Sequence, residues 1–134
     1  MKLTTRTITE AFANHKSGKP LIVYVFDSIS DFKRKIELLP IFKQITEVHN
    51  AFTEERALII NRLIEEYCSE KGLNKNNLKG KPYPLEVQES FVSEIKKVLD
   101  TEIEIETFLF TRDEIEKAEI TISEIQNIIN FIKL

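Results

Sequence analysis

The hydrophobic residues of this chain recur at helical spacing over most of its length. After Pro40, apolar side chains at intervals of three, four and seven form one stripe: Ile41, Ile45, Val48, Phe52, Ile59, Leu63 and Tyr67. Residues at these intervals share one face of an α-helix, so the stripe predicts a long amphipathic helix. Gly72, preceded by Lys71, suits its end, because glycine adopts the left-handed conformation there and a cation favours the negative helix terminus.

A second long helix is predicted over Leu85–Asp100, after the polar loop Gly72–Pro84. Its apolar residues again have helical spacing: Val87, Phe91, Ile95, Val98 and Leu99. Two helices joined by such a loop can form an antiparallel hairpin, in which each buries its stripe against the other. Because burial of one Phe or Ile contributes about 1.5–3 kcal/mol, we expect this pairing to dominate stability.

The segment at 99–110, LDTEIEIETFLF, alternates every second residue instead. Glu102, Glu104 and Glu106 share one face, and the other face carries Ile103, Ile105, Thr107 and Leu109. This predicts a strand with one buried and one solvated face, whose backbone needs a partner. The N-terminal KLTTRTI is one candidate, since alternate residues would place a basic face opposite the glutamates: Lys2, Thr4 and Arg6. We expect a small antiparallel sheet of these two segments, with LIVYVF at 21–26 as the competing partner.

Residues 21–26 fit either a helix or a strand, because the apolar run is short. A helix is favoured by a helical pattern that continues through Ile22, Phe26, Ile29, Phe32 and Ile36. In the strand alternative, Ser28 or Ser30 would cap the following helix. Pro40 predicts a break or kink near Leu39, because proline removes a hydrogen bond and clashes with the preceding turn.

Three short helices complete the prediction. T-x-x-E at 7–10 is a capping-box pattern, which starts a helix over Ile8–Lys16 that SGKP ends. Another helix covers Arg112–Ala118. Thr121 or Ser123 can cap a C-terminal helix, whose apolar stripe requires docking on the rest of the chain: Ile125, Ile128, Ile129 and Ile132.

These elements predict one domain over 1–134, of the α+β class and mostly α: a long helical hairpin, a small antiparallel β element and a docked C-terminal helix. The chain has no apolar stretch of signal-peptide or membrane-spanning length, so we expect no membrane association. Its net charge of −3 is a poor match for phosphate backbones, so we expect no direct nucleic-acid binding. Cys68 is the only cysteine, which excludes an internal disulfide.

No pattern in the sequence predicts catalysis, a metal or a cofactor. The glutamate row lacks the Gly, Asn and Asp residues that shape a calcium loop, and a solvated strand face explains it. His15 and His49 have no second His or Cys at ligand spacing, so surface positions are predicted. Cys68 has no local base to activate it and is expected to be a partly buried thiol. We therefore expect a protein that is not an enzyme.

Two surfaces are candidates for binding a partner. One is the acidic face formed by Glu102, Glu104 and Glu106. The other is the loop from Lys71 to Tyr83, which has four lysines and no acid. In that loop, Lys79 and Lys81 could contact an acidic partner, and Tyr83 lies between two prolines as an exposed aromatic anchor.

Three segments resemble a family of small uncharacterised proteins encoded by tailed phages and prophages of low-GC bacteria. FTEERALIINRLIEEY at 52–67 is similar to the family's F-x-E-E-R-x-x-L-I-x-x-Y helix. FVSEIKKVLDTEIEIE at 91–106 and ITISEIQNIINFI at 120–132 resemble its helix-to-strand segment and its closing helix. The resemblance implies a phage origin and a helical hairpin followed by a strand, with no catalytic residues to carry over.

The expected role is that of a non-enzymatic phage protein acting through protein–protein contacts, as a virion component or assembly accessory. Its partners would be other phage or host proteins, in the host cytoplasm or the virion. Whether the apolar stripes close on one chain or on several copies stays open. The alternative is a small inhibitor that binds a host defence protein such as a nuclease, since acidic surfaces can mimic nucleic acid.

Overall fold

A computed structural model describes residues 1–105 and 110–133 of the chain. It has the predicted class, α+β and mostly α, with one long helix and a small antiparallel sheet. The contacts divide the chain into unit 1, Met1–His49 with Glu102–Leu134, and unit 2, Asn50–Thr101. None of the helices within the described residues is long and apolar enough to cross a membrane.

Unit 1 contains both strands and most of the helices. Its elements are β1 (Lys2–Thr4), α1 (Thr5–Ala11), α2 (Leu21–Asp27), the first part of α3 (Phe32–Lys71), β2 (Glu102–Glu104), α5 (Arg112–Ala118) and α6 (Ile122–Asn127). A 3₁₀ turn at Ile129–Phe131 follows α6. Unit 2 contains the rest of α3, a 3₁₀ turn at Lys75–Leu78 and α4 (Leu85–Leu99).

The predicted sheet is confirmed, with the N-terminal segment as the partner. Strands β1 and β2 are antiparallel, in a register that places Lys2 opposite Glu104 and Leu3 opposite Ile103. Leu3 is buried, as is Ile105 just beyond β2, so the apolar face of the sheet joins the core. LIVYVF forms α2, which confirms the helical interpretation. Of the predicted strand residues, Glu106, Thr107 and Leu109 lie outside the described residues.

The core of unit 1 brings together segments from both ends of the chain. Its most deeply buried side chains come from α1, α2, α3, the end of β2 and the end of α6: Ile8, Leu21, Ile22, Val25, Ile45, Ile105 and Ile128. The predicted docking of the C-terminal helix is therefore confirmed. Phe110 and Ile132 add a parallel bridge, in which the Phe110 amide donates to the Phe131 carbonyl and the Lys133 amide donates to the Phe110 carbonyl.

Unit 2 is the predicted hairpin. Ile59 and Leu63 of α3 and Val87 of α4 form its buried core, and partly buried side chains pack around them: Ile60, Ile64, Tyr67, Phe91, Ile95 and Val98. The order of contacts makes the pair antiparallel, because Lys71 reaches Glu86 whereas the earlier Arg62 reaches the later Glu94. This is the arrangement that the two apolar stripes predict.

Local capping at the end of α3 agrees with the sequence. The helix ends at Lys71, and Gly72 has a φ of +67°, which favours glycine. The Leu73 amide donates to the Cys68 carbonyl at 2.9 Å, as in a Schellman motif. Thr111 and Thr121 begin α5 and α6 with complete capping boxes.

Three boundary predictions are wrong. Helix α1 covers Thr5–Ala11 rather than Ile8–Lys16, because Thr4 caps it by accepting from the Thr7 amide. Arg6 is therefore helical and not part of the basic strand face. The C-terminal helix ends at Asn127, and a 3₁₀ turn replaces its last predicted turn.

The expected helical stripe through 22–36 is also interrupted. Helix α2 ends at Asp27, and α3 starts at Phe32, where the Asp31 carboxylate accepts from the Lys33 amide at 3.1 Å. Phe32 is 75% exposed, so it does not continue the buried face.

Pro40, by contrast, does not interrupt α3, so of the predicted break or kink near Leu39 the break does not occur. The turns on either side bury Leu38 and Ile41 in the core of unit 1. That burial offsets the one backbone hydrogen bond that proline cannot make.

Candidate protein-interaction site

An apolar groove lies between α3 and α4 on one side of the unit 2 hairpin. It encloses about 590 Å³ and is lined by Thr53, Arg56, Ala57, Ile60, Tyr83, Gln88, Phe91 and Val92. Val92 is 63% exposed and Tyr83 is 48% exposed, so the groove presents apolar side chains to solvent. Apart from Tyr83, its lining residues belong to α3 and α4.

The groove exists because one side of the helix pair lacks bulk. Ala57 has only a methyl group, and it lies one turn from Ile60 on the groove side of α3. On α4, Val87 is buried in the hairpin core, whereas Val92 falls on the adjacent face and stays exposed. The short side chain on one helix and the off-stripe valine on the other leave a concave strip that the hairpin itself does not fill.

The loop that closes one end of the groove is built from local hydrogen bonds. Asn74 and Asn77 form a complete capping box around the 3₁₀ turn. Gly80 follows with a φ of +78°. The Gln88 side-chain amide donates to the Tyr83 carbonyl, which ties the loop to α4. Tyr83, predicted as an exposed anchor, therefore lines the groove in a fixed position.

A second depression adjoins the groove at Tyr83 and contains the predicted lysines. Lys79 and Lys81 line it together with Lys75, which pairs with Glu65 at 2.8 Å and lowers the pKa of that carboxyl. Within the described ranges, neither Lys79 nor Lys81 has a carboxylate in ion-pair distance. Tyr83 joins the two depressions, so the predicted loop residues form one surface with the groove.

Two of the three residues of the predicted acidic face lie within the described part of the chain. Glu102 and Glu104 are exposed on β2, and Glu106 lies outside the described residues. The Glu104 carboxylate accepts from the N-terminal ammonium at 2.9 Å, and Lys2 lies opposite it in the sheet. No cluster of three or more His, Cys, Asp or Glu side chains suited to a metal ion occurs among residues 1–105 and 110–133.

His15 is buried, so its predicted surface position is wrong. It is 5% exposed, and its ring stacks on Tyr24 with centroids 3.8 Å apart. Its Nδ1 accepts from the Ser17 amide at 3.0 Å, and the Ser17 hydroxyl is 2.8 Å from the same nitrogen. The Nε2 atom lies 3.6 Å from a Glu124 carboxylate oxygen. Nδ1 already accepts from a backbone amide, and Nε2 faces Glu124 of α6. The contacts of His15 with Ser17 and Glu124, called the clamp below, therefore hold the 15–19 turn against α6.

His49 is half-buried rather than on the surface, and it stacks on Phe12 with centroids 4.1 Å apart. Burial lowers the pKa of its imidazole below 6.5. Cys68 is 5% exposed, near the end of α3, so its thiol is buried rather than partly buried as predicted.

The clamp leads to a prediction for the Glu124→Gln variant. Hydrogen bonding from the Thr121 amide, with smaller contributions from the Thr121 hydroxyl and the nearby His15 and Lys16, lowers the pKa of Glu124 below 4.5. A lowered folded-state pKa stabilises the protein above the unfolded value, and that contribution disappears as the pH falls towards the folded pKa. The wild type should therefore be more stable than the variant at pH 7, and the gap should narrow below about pH 4.5. Urea unfolding followed by circular dichroism from pH 7 to 3 tests this, and a constant gap would contradict it.

Of the residues that line the groove, only Tyr83 was predicted from the sequence as a binding residue. Its members Ala57 and Val92 stand outside the apolar stripes, and only the packing of the two helices places them on one surface. The available signal was Val92, an apolar residue of α4 directly after the stripe residue Phe91, which also lines the groove. In comparisons with protein-family models, with curated proteins and with solved structures, nothing matched this chain.

Proposed function

We propose that this chain is a non-enzymatic phage protein that acts through protein–protein contacts, as a virion component or an assembly accessory. The observation that carries the proposal is the groove of unit 2, where Val92 and Tyr83 expose apolar surface beside a stable helix pair. Apolar surface of this kind is typical of sites where another protein binds. The phage setting comes from the sequence resemblance, with the host cytoplasm or the virion as the place of action.

The groove favours helix recognition over strand addition. An extended peptide needs a free sheet edge, and the part of unit 2 that the structure describes contains only helices and turns. A third helix can lie against two antiparallel helices and complete a bundle. The partner is therefore a phage or host protein that inserts apolar side chains between α3 and α4.

The alternative role, inhibition of a host defence protein such as a nuclease, depends on a free acidic face. Glu104 is engaged by the N-terminus and faces Lys2, which reduces the negative charge that could mimic nucleic acid. A nucleic-acid mimic is negatively charged, whereas the charged residues of the groove and its adjoining depression, such as Arg56 and Lys79, are positive. Assembly or virion contacts are accordingly the better-supported function.

Site-specific photo-crosslinking tests this proposal. The full chain, carrying p-benzoylphenylalanine at Val92, is expressed in infected cells, and adducts are identified by mass spectrometry. The matched control carries the same residue at Ile122, which is 78% exposed in unit 1. We expect a discrete adduct with a phage particle or assembly protein at position 92 and none at position 122.

The adduct also separates the candidate roles. Stoichiometric copies of the chain in purified particles would identify a virion component, and absence from particles with an adduct to an assembly protein would identify an accessory. An adduct with a host defence protein would replace the proposal with the inhibitor role. Equal, diffuse labelling at both positions would refute the groove as a contact site.

A further inference from the structure

The charges around the groove all have one sign. The groove and the adjoining depression contain four charged side chains, all cationic: Arg56, Lys75, Lys79 and Lys81. No carboxylate lines either one within the described residues. This is notable in a chain with a net charge of −3, because the acids are placed elsewhere.

These cations differ in how far they are already neutralised. Lys75 is held by Glu65 at 2.8 Å, and the Arg56 guanidinium lies over the Phe91 ring at 5.9 Å. Lys79 and Lys81 are exposed and have no ion-pair partner among residues 1–105 and 110–133. They sit on a loop fixed by its own hydrogen bonds, at the Tyr83 end of the apolar strip. Lys79 and Lys81 therefore leave unpaired positive charge in the depression that adjoins the groove at Tyr83.

We infer that the occupant is an acidic amphipathic helix of a partner protein, with its apolar face between α3 and α4 and its carboxylates facing Lys79 and Lys81. This inference rests on the proposed function and names the chemistry of the partner. Complementary charge steers association and selects orientation, whereas the apolar face supplies most of the contact area.

Charge and shape together disfavour two other occupants. A nucleic acid would need a continuous basic track, and here the cations border an apolar strip. A second copy of this hairpin, docked groove to groove, would bring only cations to a surface whose lining has no carboxylate, so the charge of Lys79 and Lys81 would stay unpaired. An acidic helix satisfies both the apolar strip and the cations.

A peptide-binding measurement tests the inference with the full chain. The probe is a fluorescein-labelled amphipathic helical peptide with leucines on one face and glutamates on the other, followed by fluorescence anisotropy. Two matched peptides serve as controls, one with every glutamate replaced by lysine and one with the same composition scrambled. We expect the acidic peptide to bind at least about tenfold more tightly than either, with affinity falling as salt screens the charges.

Variants of the protein locate the effect. The Lys79→Glu/Lys81→Glu double variant should weaken binding of the acidic peptide by about tenfold or more. Lys33→Glu/Lys43→Glu changes the net charge equally at exposed positions of unit 1 and should have little effect. Val92→Ser should weaken binding of all peptides without changing the preference for glutamate. Circular dichroism checks that each variant is folded.

Several results would overturn the inference. Equal binding of the glutamate and lysine peptides would do so, as would equal effects of the two double variants. Tighter binding of a single-stranded DNA oligonucleotide, lost in Lys79→Glu/Lys81→Glu, would assign the surface to nucleic acid instead. If the position-92 crosslink succeeds and the peptide preference fails, only the partner chemistry is wrong; if the crosslink fails, the proposed function fails with it.

Discussion

Replacing Ile128 with alanine is expected to reduce the free energy of unfolding by about 2–5 kcal/mol, the usual cost of truncating a fully buried isoleucine. Ile128 is 0% exposed and belongs to the core of unit 1, where segments from both ends of the chain meet. The truncation removes apolar contacts and leaves a cavity that well-packed neighbours cannot readily fill. Denaturant unfolding followed by circular dichroism measures the change.

Ile122→Ala provides the matched control for this prediction. Ile122 is the first residue of α6, the helix that Ile128 caps at its C-terminus, but Ile122 is 78% exposed. Its truncation should therefore change the stability by no more than about 0.5 kcal/mol. Similar losses in the two variants would mean that α6 does not dock through Ile128, and the described core of unit 1 would be wrong.

Replacing Leu63 with alanine is expected to destabilise the hairpin by a comparable amount, about 2–5 kcal/mol. The hydrophobic cluster of unit 2 is centred on three buried side chains, Ile59, Leu63 and Val87, so the loss of one removes a large share of its packing. Hydrogen exchange of the α4 amides is the appropriate measurement, because it reports local as well as global opening. These amides should exchange much faster in the variant.

Leu58→Ala is the corresponding control on the same helix. Leu58 is 64% exposed, five residues before the buried Leu63. Because alanine is a good helix former and little apolar contact is lost, exchange in α4 should be nearly unchanged. If Leu58→Ala accelerated exchange as strongly as Leu63→Ala, the face assignment of α3 in unit 2 would be refuted.

Sequence patterns predicted an element well where its signals were local. Helix α5 has its predicted bounds, Arg112–Ala118, and α4 begins at the predicted Leu85. Their caps and apolar spacing act within a few residues, so they need no knowledge of the rest of the fold. The N-terminal segment was the favoured of two candidate partners for β2, since opposite charges on alternating residues favour one another across strands.

The predictions failed where distant parts of the chain compete with local preference. The turn after α1 brings His15 against Tyr24 and Glu124, which a search for ligand spacing could not detect. Pro40 is accommodated within α3 because the flanking turns are anchored in the core of unit 1. In both cases tertiary burial outweighs a local signal that is worth only a few kcal/mol.

The candidate site was likewise predictable where its signals are local and not predictable where it depends on tertiary packing. Tyr83, Lys79 and Lys81 were predicted as a contact surface from the composition of their loop. Ala57 and Val92 were not, because neither belongs to an apolar stripe. Only the packing of α4 on α3 turns a small residue and an exposed valine into opposite sides of one groove.

By itself, the sequence determined the helical hairpin, the strand at the alternating glutamates and the absence of an internal disulfide, because periodicity and the count of cysteines are properties of the chain alone. The tertiary structure decided which apolar residues remain exposed once the others are buried in the cores of units 1 and 2. That remainder depends on how two surfaces fit together, a property of residue pairs far apart in the chain. The exposed apolar residues between α3 and α4, next to the depression that contains Lys79 and Lys81, form the candidate binding site.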